Sequence, residues 1–161
     1  GQPGVVCAVL TADCLPLLLC NAAGTRVAAV HVGWRGLAAG VIEAALAAMG
    51  PGADLLAWLG PAIGPGAFEV GNEVRDIFIA HDVRAQSAFR PSPNGRWLAD
   101  IYQLARLRLA AHGVVRIYGG HACTYSDAGR FYSYRRDGIT GRMATMVWLE
   151  ADTRGKIKDT R

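Results

Sequence analysis

An aspartate, a cysteine and a histidine stand at the two ends of the stretch from Thr11 to Gly36. Asp13 and Cys14 come first, and His31 follows seventeen residues after Cys14. A thiolate and a neutral imidazole are ligands that suit Zn²⁺ or copper, and the same pair can act as nucleophile and base. The stretch is therefore the place where we expect chemistry.

Two apolar segments connect these residues, and we expect them to form an antiparallel hairpin. Residues 15–20 and 26–32 are the predicted strands, and residues 21–24 form the turn. If the turn is centred on residues 22 and 23, opposite positions have numbers that add to 45. Cys14 then lies opposite His31, with Cβ atoms about 5 Å apart on one face. A bulge in the turn would shift this register by one residue.

A non-catalytic interpretation of the same residues stays open. A cysteine in an apolar strand is often a core residue, and a histidine at a strand end is often only hydrogen-bonded. An open zinc site usually needs three protein ligands, and the hairpin supplies two. Asp13 could orient His31, act as a general acid or base, or cap a turn.

Length and composition indicate one domain over residues 1–150, followed by a charged tail over residues 151–161. The chain has 161 residues, of which 52% are hydrophobic and 19% charged. A net charge of +4 is too small to indicate a nucleic-acid surface, and no apolar run could span a bilayer. The four cysteines form no CxxC pair, which is typical of reduced thiols. Together with the absence of a leader pattern at the start, this predicts a cytoplasmic protein.

Residue periodicity predicts a mixed α/β fold in which a sheet is layered with helices. Residues 5–10 form a continuous apolar run, which predicts a buried strand. Glycines and prolines fix the path of residues 60–66, either as a ligand-binding loop or as a structural turn. Residues 81–95 are polar and indicate an irregular surface loop. The other predicted strands are residues 55–59, 114–118 and 143–149, and the predicted helices are residues 37–49, 72–80 and 100–112, the last capped by Asp100.

Several separate motifs, in order along nearly the whole chain, resemble one family. They are Thr11-Ala12-Asp13-Cys14, His31-Val32-Gly33-Trp34-Arg35-Gly36, Leu59-Gly60-Pro61-Ala62-Ile63-Gly64, Phe68-Glu69-Val70-Gly71, Cys123-Thr124-Tyr125 and Phe131-Tyr132-Ser133-Tyr134-Arg135-Arg136-Asp137-Gly138-Ile139-Thr140-Gly141-Arg142. This pattern resembles the laccase-domain family, also called polyphenol-oxidase-like or multicopper polyphenol oxidase, which includes bacterial purine nucleoside phosphorylases. The resemblance implies the laccase-domain, cysteine-hydrolase-like fold.

The resemblance also implies a catalytic zinc ion held by a His, a Cys and a second His. Cys14 and His31 match the last two ligands. The first would be a histidine upstream of the cysteine, and residues 1–13 contain none. We therefore expect an N-terminally incomplete domain. His121 could replace the missing ligand only if the fold brings it near.

The implied reaction is phosphorolysis of purine nucleosides such as adenosine, inosine and methylthioadenosine, with adenosine deamination as a further activity. Arginines are natural phosphate ligands, and Arg35, Arg135, Arg136 and Arg142 lie within the matching motifs. The alternative for the Arg135-Arg136-Asp137 segment is a structural salt-bridge network. The expected partners are purine nucleosides and phosphate, and the protein would be a monomer or a homodimer.

Three other classes of function remain open from the sequence. A copper-dependent polyphenol oxidase would follow from the family's laccase name, but multicopper oxidases use His-x-His pairs, and none of the four histidines forms one. A thiol hydrolase would need only Cys14 and His31. A binding module without activity is the third. A zinc nucleobase deaminase is excluded because its H-x-E and P-C-x-x-C signatures are both absent.

Overall fold

Nine strands and five α-helices make up the part of the chain that the structure, a computed structural model, describes: residues 3–50 and 54–150. The first half is a run of strands followed by two short helices. The elements are β1 (Val6–Thr11), β2 (Leu15–Asn21), β3 (Val27–Val32), α1 (Trp34–Ala38), α2 (Val41–Met49), β4 (Leu55–Leu59), β5 (Glu69–Val70), α3 (Asn72–His81), a 3₁₀ helix (Val83–Ala88), β6 (Phe89–Pro91), β7 (Trp97–Ala99), α4 (Ile101–Ala111), β8 (Arg116–Gly119), α5 (Tyr134–Asp137) and β9 (Met143–Trp148).

A four-stranded mixed sheet forms the centre of the molecule, in the order β3-β2-β4-β8. Strand β2 is antiparallel to both neighbours, and β4 pairs with β8 in parallel. Leu15, Leu17 and Leu19 alternate along β2 and are fully buried, because they point to the side on which Ile42 of α2 and Leu109 of α4 complete the core. The predicted α/β class is confirmed by this arrangement.

The first strand is present but is not buried as predicted. Among the described residues, strand β1 pairs only with β9, as a two-stranded antiparallel ribbon that contacts β3. Val6 and Leu10 are 53% and 59% exposed, because alternate side chains of the ribbon point to solvent. A continuous apolar run predicts a strand covered on both faces, and the described residues cover only one face of β1.

Three other element predictions need correction. The predicted helix over residues 37–49 is two helices, because Gly40 adopts a left-handed conformation with φ of +88° between them. The segment over residues 81–95 holds a 3₁₀ helix and β6, which joins a small sheet in the order β5-β7-β6. The strand predicted at residues 114–118 is displaced to Arg116–Gly119.

Of the remaining predictions on the domain, some agree with the structure and others concern residues that the structure does not describe. The side chain of Asp100 accepts a hydrogen bond from the backbone N–H of Gln103 at 2.9 Å and caps α4 as predicted. Among the described residues, no helix is long and apolar enough to cross a membrane. The predicted tail at residues 151–161 lies outside the described residues, and the single-domain assignment stays a prediction.

Tyr102 of α4 fixes the glycine- and proline-rich loop that follows β4. Its hydroxyl accepts a hydrogen bond from the N–H of Ala62 at 2.7 Å and donates one to the carbonyl of Ala122 at 2.9 Å. Burial raises the pKa of Tyr102 to about 12. Because the folded state holds this proton more tightly than the unfolded chain, the stabilisation is complete below pH ~10 and is lost as the pH rises toward 12.

We therefore expect the stability advantage of the wild type over a Tyr102→Phe variant to shrink between pH 9 and pH 11.5. Urea unfolding of both proteins at several pH values measures this difference. Tyr118→Phe is the control, because Tyr118 is 55% exposed and its replacement should give no comparable pH-dependent change. A wild-type advantage that stays constant over this range would contradict the assignment.

Candidate active site

The hairpin of β2 and β3 has a register two residues away from the predicted one. Leu15 lies opposite Val32, and Pro16 lies opposite His31, so the numbers of paired residues add to 47. The cause is a longer turn, in which the side chain of Asn21 accepts hydrogen bonds from the N–H groups of Thr25 and Arg26, both at 2.9 Å. A shift of two residues keeps every side chain on its predicted face.

Cys14 and His31 consequently meet diagonally, beside Gly33, instead of directly opposite each other. A Cβ atom placed on Gly33 would lie 3.1 Å from Cys14 Sγ and 3.9 Å from His31 Cδ2. The two side chains thus reach the same small space, and the glycine leaves it open. A side chain at position 33 would crowd the thiol.

Cys14 and His31 can supply two ligands of a zinc site, and the described residues supply no third. A thiolate and an imidazole form a donor set that suits Zn²⁺. Among residues 3–50 and 54–150, however, no group of three or more His, Cys, Asp or Glu side chains is placed to hold a metal ion. His121 therefore does not complete the set.

The Cys14 thiol lies in an environment that favours its protonated form. Burial raises the pKa of Cys14 above its usual value, the neighbouring Asp13 carboxylate raises it further, and the Arg142 guanidinium opposes both. A protonated thiol is a poor nucleophile, and this disfavours the thiol-hydrolase alternative. Arg142 itself is held by the carbonyls of Thr140 and Gly141.

Asp13 occupies a strained position beside the cysteine. Its φ is +93°, in the left-handed region, and no other non-glycine residue in the described part of the chain has a positive φ. The buried carboxylate accepts hydrogen bonds from Thr124 Oγ1 and from the backbone N–H of Arg135, both at 2.6 Å. Neither carboxylate oxygen forms a hydrogen bond with His31, so the predicted orientation of His31 by Asp13 is not seen.

Four of the predicted site residues line one cavity of about 220 Å³. They are Asp13, Cys14, Arg35 and Arg135. The rest of the wall is mostly apolar and includes Phe68. His31 and Arg136 are not part of this wall. The cavity therefore combines two arginines, an aspartate and a thiol in a mainly apolar setting, which is a common composition for a small-molecule site.

Aromatic rings hold the two cavity arginines. The guanidinium of Arg35 lies 4.4 Å from the ring centre of Trp34, and that of Arg135 lies 5.8 Å from the ring centre of Phe68. Arg135 also donates a hydrogen bond to the carbonyl of Glu69 at 3.0 Å. Neither arginine forms an ion pair with an acidic side chain in the described part of the chain, so both positive charges remain available to an anion.

Arg136 is used differently, although it is adjacent to Arg135. Its guanidinium donates to both carboxylate oxygens of Asp137, each at 2.8 Å. The remaining donors bond to the carbonyls of Thr124, Tyr125 and Phe131 at 2.8–3.0 Å. All five N–H groups are thus engaged, and this favours the structural alternative for Arg136 over phosphate binding.

The loop of residues 60–66 uses its N–H groups within the protein. Ile63 donates to the carbonyl of Asp13 at 2.9 Å, and Gly64 donates to Cys123 Sγ at 3.2 Å. Burial would raise the pKa of Cys123, but the Ser126 hydroxyl and the N–H groups of Ser126, Gly64 and Tyr125 lower it overall. These bonds support the interpretation of the loop as a structural turn.

The sequence did not predict that Thr124 contacts the site. It is fully buried and bonds the carboxylate of Asp13 from more than a hundred residues away. The Cys123-Thr124-Tyr125 motif marks this segment, but nothing in its residue types indicates a contact with Asp13.

Comparison with known proteins places this chain in one family. Residues 1–150 match the family described as multi-copper polyphenol oxidoreductase laccase. The chain therefore belongs to this family, and the resemblance found in its motifs is confirmed.

Two curated relatives share most of the sequence. The chain is 64% identical to the purine nucleoside phosphorylase PA4543 of Pseudomonas aeruginosa over 152 residues, which are 93% of this chain and 63% of the relative. It is 60% identical to the purine nucleoside phosphorylase YfiH of Escherichia coli, over 92% of this chain and 61% of that protein. The chain thus spans about three-fifths of these relatives.

Two crystal structures have the same fold. The Neisseria meningitidis protein NMB0706 superposes with a TM-score of 0.88 at 53% identity, over 91% of this chain and 61% of that one. YlmD of Geobacillus stearothermophilus gives a TM-score of 0.84 at 30% identity, over 93% of this chain and 59% of that one. These matches confirm the predicted fold type.

Proposed function

We propose that the protein is a purine nucleoside phosphorylase that acts on adenosine, inosine and methylthioadenosine. The observation that carries the proposal is the 64% and 60% identity to relatives named purine nucleoside phosphorylase. The cavity supports it, because Arg35 and Arg135 place two positive charges beside Cys14. The substrates are small molecules, and a cytoplasmic location and a monomeric or dimeric state stay predictions.

Phosphorolysis requires an anion to be held near a developing cation. A phosphate oxygen forms a bond to C1′ of the ribose while the C1′–N bond to the purine breaks, and the purine nitrogen gains a proton. Positive charge grows on the ribose as that bond breaks, and phosphate must be oriented on the opposite side. Arg35 and Arg135 would bind and orient the phosphate by charge-assisted hydrogen bonds. The apolar wall of the cavity would exclude water, which competes with phosphate.

Cys14 and His31 would hold a zinc ion, with a third ligand from outside the described residues. The two side chains converge on the open space at Gly33, and their donor atoms suit zinc. When bound, the ion supplies Lewis-acid chemistry, which would also serve adenosine deamination as a side reaction. Copper is the alternative metal, because the same ligands bind it. Metal analysis with oxygen-uptake assays on phenols distinguishes the two; full copper occupancy with phenol turnover would contradict the zinc proposal.

Replacing the two cavity arginines tests the proposed phosphate site. We expect Arg35→Ala and Arg135→Ala each to raise the KM for phosphate by about 10- to 100-fold, the effect of losing a hydrogen bond to a charged group. Inosine phosphorolysis, followed as hypoxanthine and ribose 1-phosphate formed at varied phosphate, measures it. Arg84→Ala is the matched control, because Arg84 lies outside the cavity and pairs with Asp82 at the surface. Base release that does not depend on phosphate, or an unchanged KM in both variants, would refute the proposal.

A further inference from the structure

We propose that Thr124 is a positioning residue that acts through Asp13 to hold Arg135 and Cys14 in their working places. This proposal rests on the proposed phosphorolysis. It concerns a buried hydroxyl that lies outside the cavity wall, and it assigns Asp13 a structural task at the site, since its carboxylate oxygens are engaged by the protein.

Asp13 connects four separate segments of the chain. Its carboxylate accepts the Thr124 hydroxyl through Oδ1 and the Arg135 N–H through Oδ2, each at 2.6 Å. Its own carbonyl accepts the N–H of Ile63 at 2.9 Å, and Cys14 follows it directly in the sequence. Ile63, Cys14 and Arg135 all line the cavity. The carboxylate and the backbone of Asp13 together thus connect three parts of the cavity wall.

Thr124 is the fixed end of this arrangement. Its side chain is fully buried, and its backbone N–H donates to the carbonyl of Ala62 at 3.0 Å. The hydroxyl therefore has little freedom, and it holds Asp13 in a backbone conformation that residues with a Cβ rarely adopt. Without the hydroxyl, Oδ1 of a buried carboxylate loses its donor, and the aspartate has a reason to move toward other partners or solvent.

Arg135 is the residue through which this movement would reach the substrate. Its backbone is held by Asp13, and its side chain is held at Glu69 and Phe68. A shift of its backbone by a few tenths of an ångström would change the direction of the guanidinium relative to a bound phosphate. Binding of an oriented anion is sensitive to displacements of this size.

The test compares Thr124→Val, which keeps the shape of the side chain but removes the hydroxyl, with Thr124→Ser, which keeps the hydroxyl. We expect Thr124→Val to raise the KM for phosphate about tenfold, the effect of one lost hydrogen bond to a charged group. The KM for inosine should change less than about twofold, and Thr124→Ser should restore the phosphate KM to within about twofold of the wild type. If Thr124→Val does not fold, Asp13→Asn replaces it, with the same selective rise expected.

The results distinguish this inference from the proposed function. If Arg135→Ala raises the KM for phosphate and Thr124→Val does not, the positioning role is wrong and the phosphate site stands. An equal rise in both KM values with a lowered melting temperature would mean that Thr124 serves general stability only. If Arg135→Ala leaves phosphate binding unchanged, the proposed phosphate site is wrong, and the positioning role is wrong with it.

Discussion

A Cys14→Ala variant should lose both bound zinc and nucleoside phosphorolysis. Cys14 and His31 reach the same open space beside Gly33, and a zinc ion there would lose one of its protein ligands. We expect turnover of inosine to fall by more than about 100-fold, because even the loss of a residue that only supports a metal ligand costs 10- to 100-fold. His31→Ala should have the same effect. Metal content and initial rates of the purified wild type and both variants test the prediction.

Cys20→Ala is the matched control for this experiment. Cys20 lies on β2, which begins directly after Cys14, and it pairs with Val27 near the turn, at the end of the hairpin far from Cys14. Its replacement should leave metal content and turnover near the wild-type values. Near-normal turnover in Cys14→Ala or His31→Ala would show that the metal assignment is wrong. Rapid inactivation of a metal-free wild type by one equivalent of a thiol alkylator would support the thiol-hydrolase alternative instead.

The same geometry explains why position 33 is a glycine. An added Cβ would lie 3.1 Å from Cys14 Sγ, tighter than most Cβ contacts, and the thiol would have to give way by a few tenths of an ångström. The position is therefore restricted by the reactive pair and not by backbone conformation, because Gly33 has a negative φ of −76°.

The hairpin shows what the sequence could predict about the site and where it failed. Two apolar segments separated by a turn correctly predicted two paired antiparallel strands. The register was wrong because turn length depends on the side chain of Asn21, which accepts two backbone N–H groups. Periodicity does not contain that information. The error was harmless to the face assignment, since an even shift preserves it.

The arginine pair shows a second limit of the sequence. Arg135 and Arg136 are adjacent, equally charged and within the same motif, so the sequence offers no reason to separate them. The short helix α5 points one guanidinium to the cavity and the other to three carbonyls and Asp137. The Thr124–Asp13 contact was likewise beyond prediction, because it depends on tertiary packing between segments far apart in the chain.

The largest effect on stability should come from Arg108, a buried cation in helix α4. Its side chain is 8% exposed, and Nη1 lies 2.8 Å from both Glu43 Oε1 and His81 Nε2. Because arginine can only donate, His81 must accept through Nε2 and carry its proton on Nδ1. Arg108→Met removes the near cation of Glu43, whose Oε1 then has only the more distant His112 Nε2, at 4.0 Å, as a basic partner in the described chain. We expect a loss of about 2–4 kcal/mol in the free energy of unfolding, somewhat below the 3–5 kcal/mol of a fully buried pair.

A double variant separates the contribution of the ion pair from the cost of leaving one partner unpaired. Within the described chain, Nη2 of Arg108 and Oε2 of Glu43 are buried without hydrogen-bond partners, so the pair keeps part of its desolvation cost. Replacing both partners by apolar residues removes that cost. We therefore expect Glu43→Leu with Arg108→Met to recover most of the stability lost in Arg108→Met alone. Urea unfolding at neutral pH measures all variants, with Arg84→Ala, from an exposed ion pair, as a control whose midpoint should not move. If the double variant is no more stable than Arg108→Met, the stability lost in Arg108→Met comes from the attraction of the ion pair itself. The cost of leaving Glu43 without Arg108 would then be small.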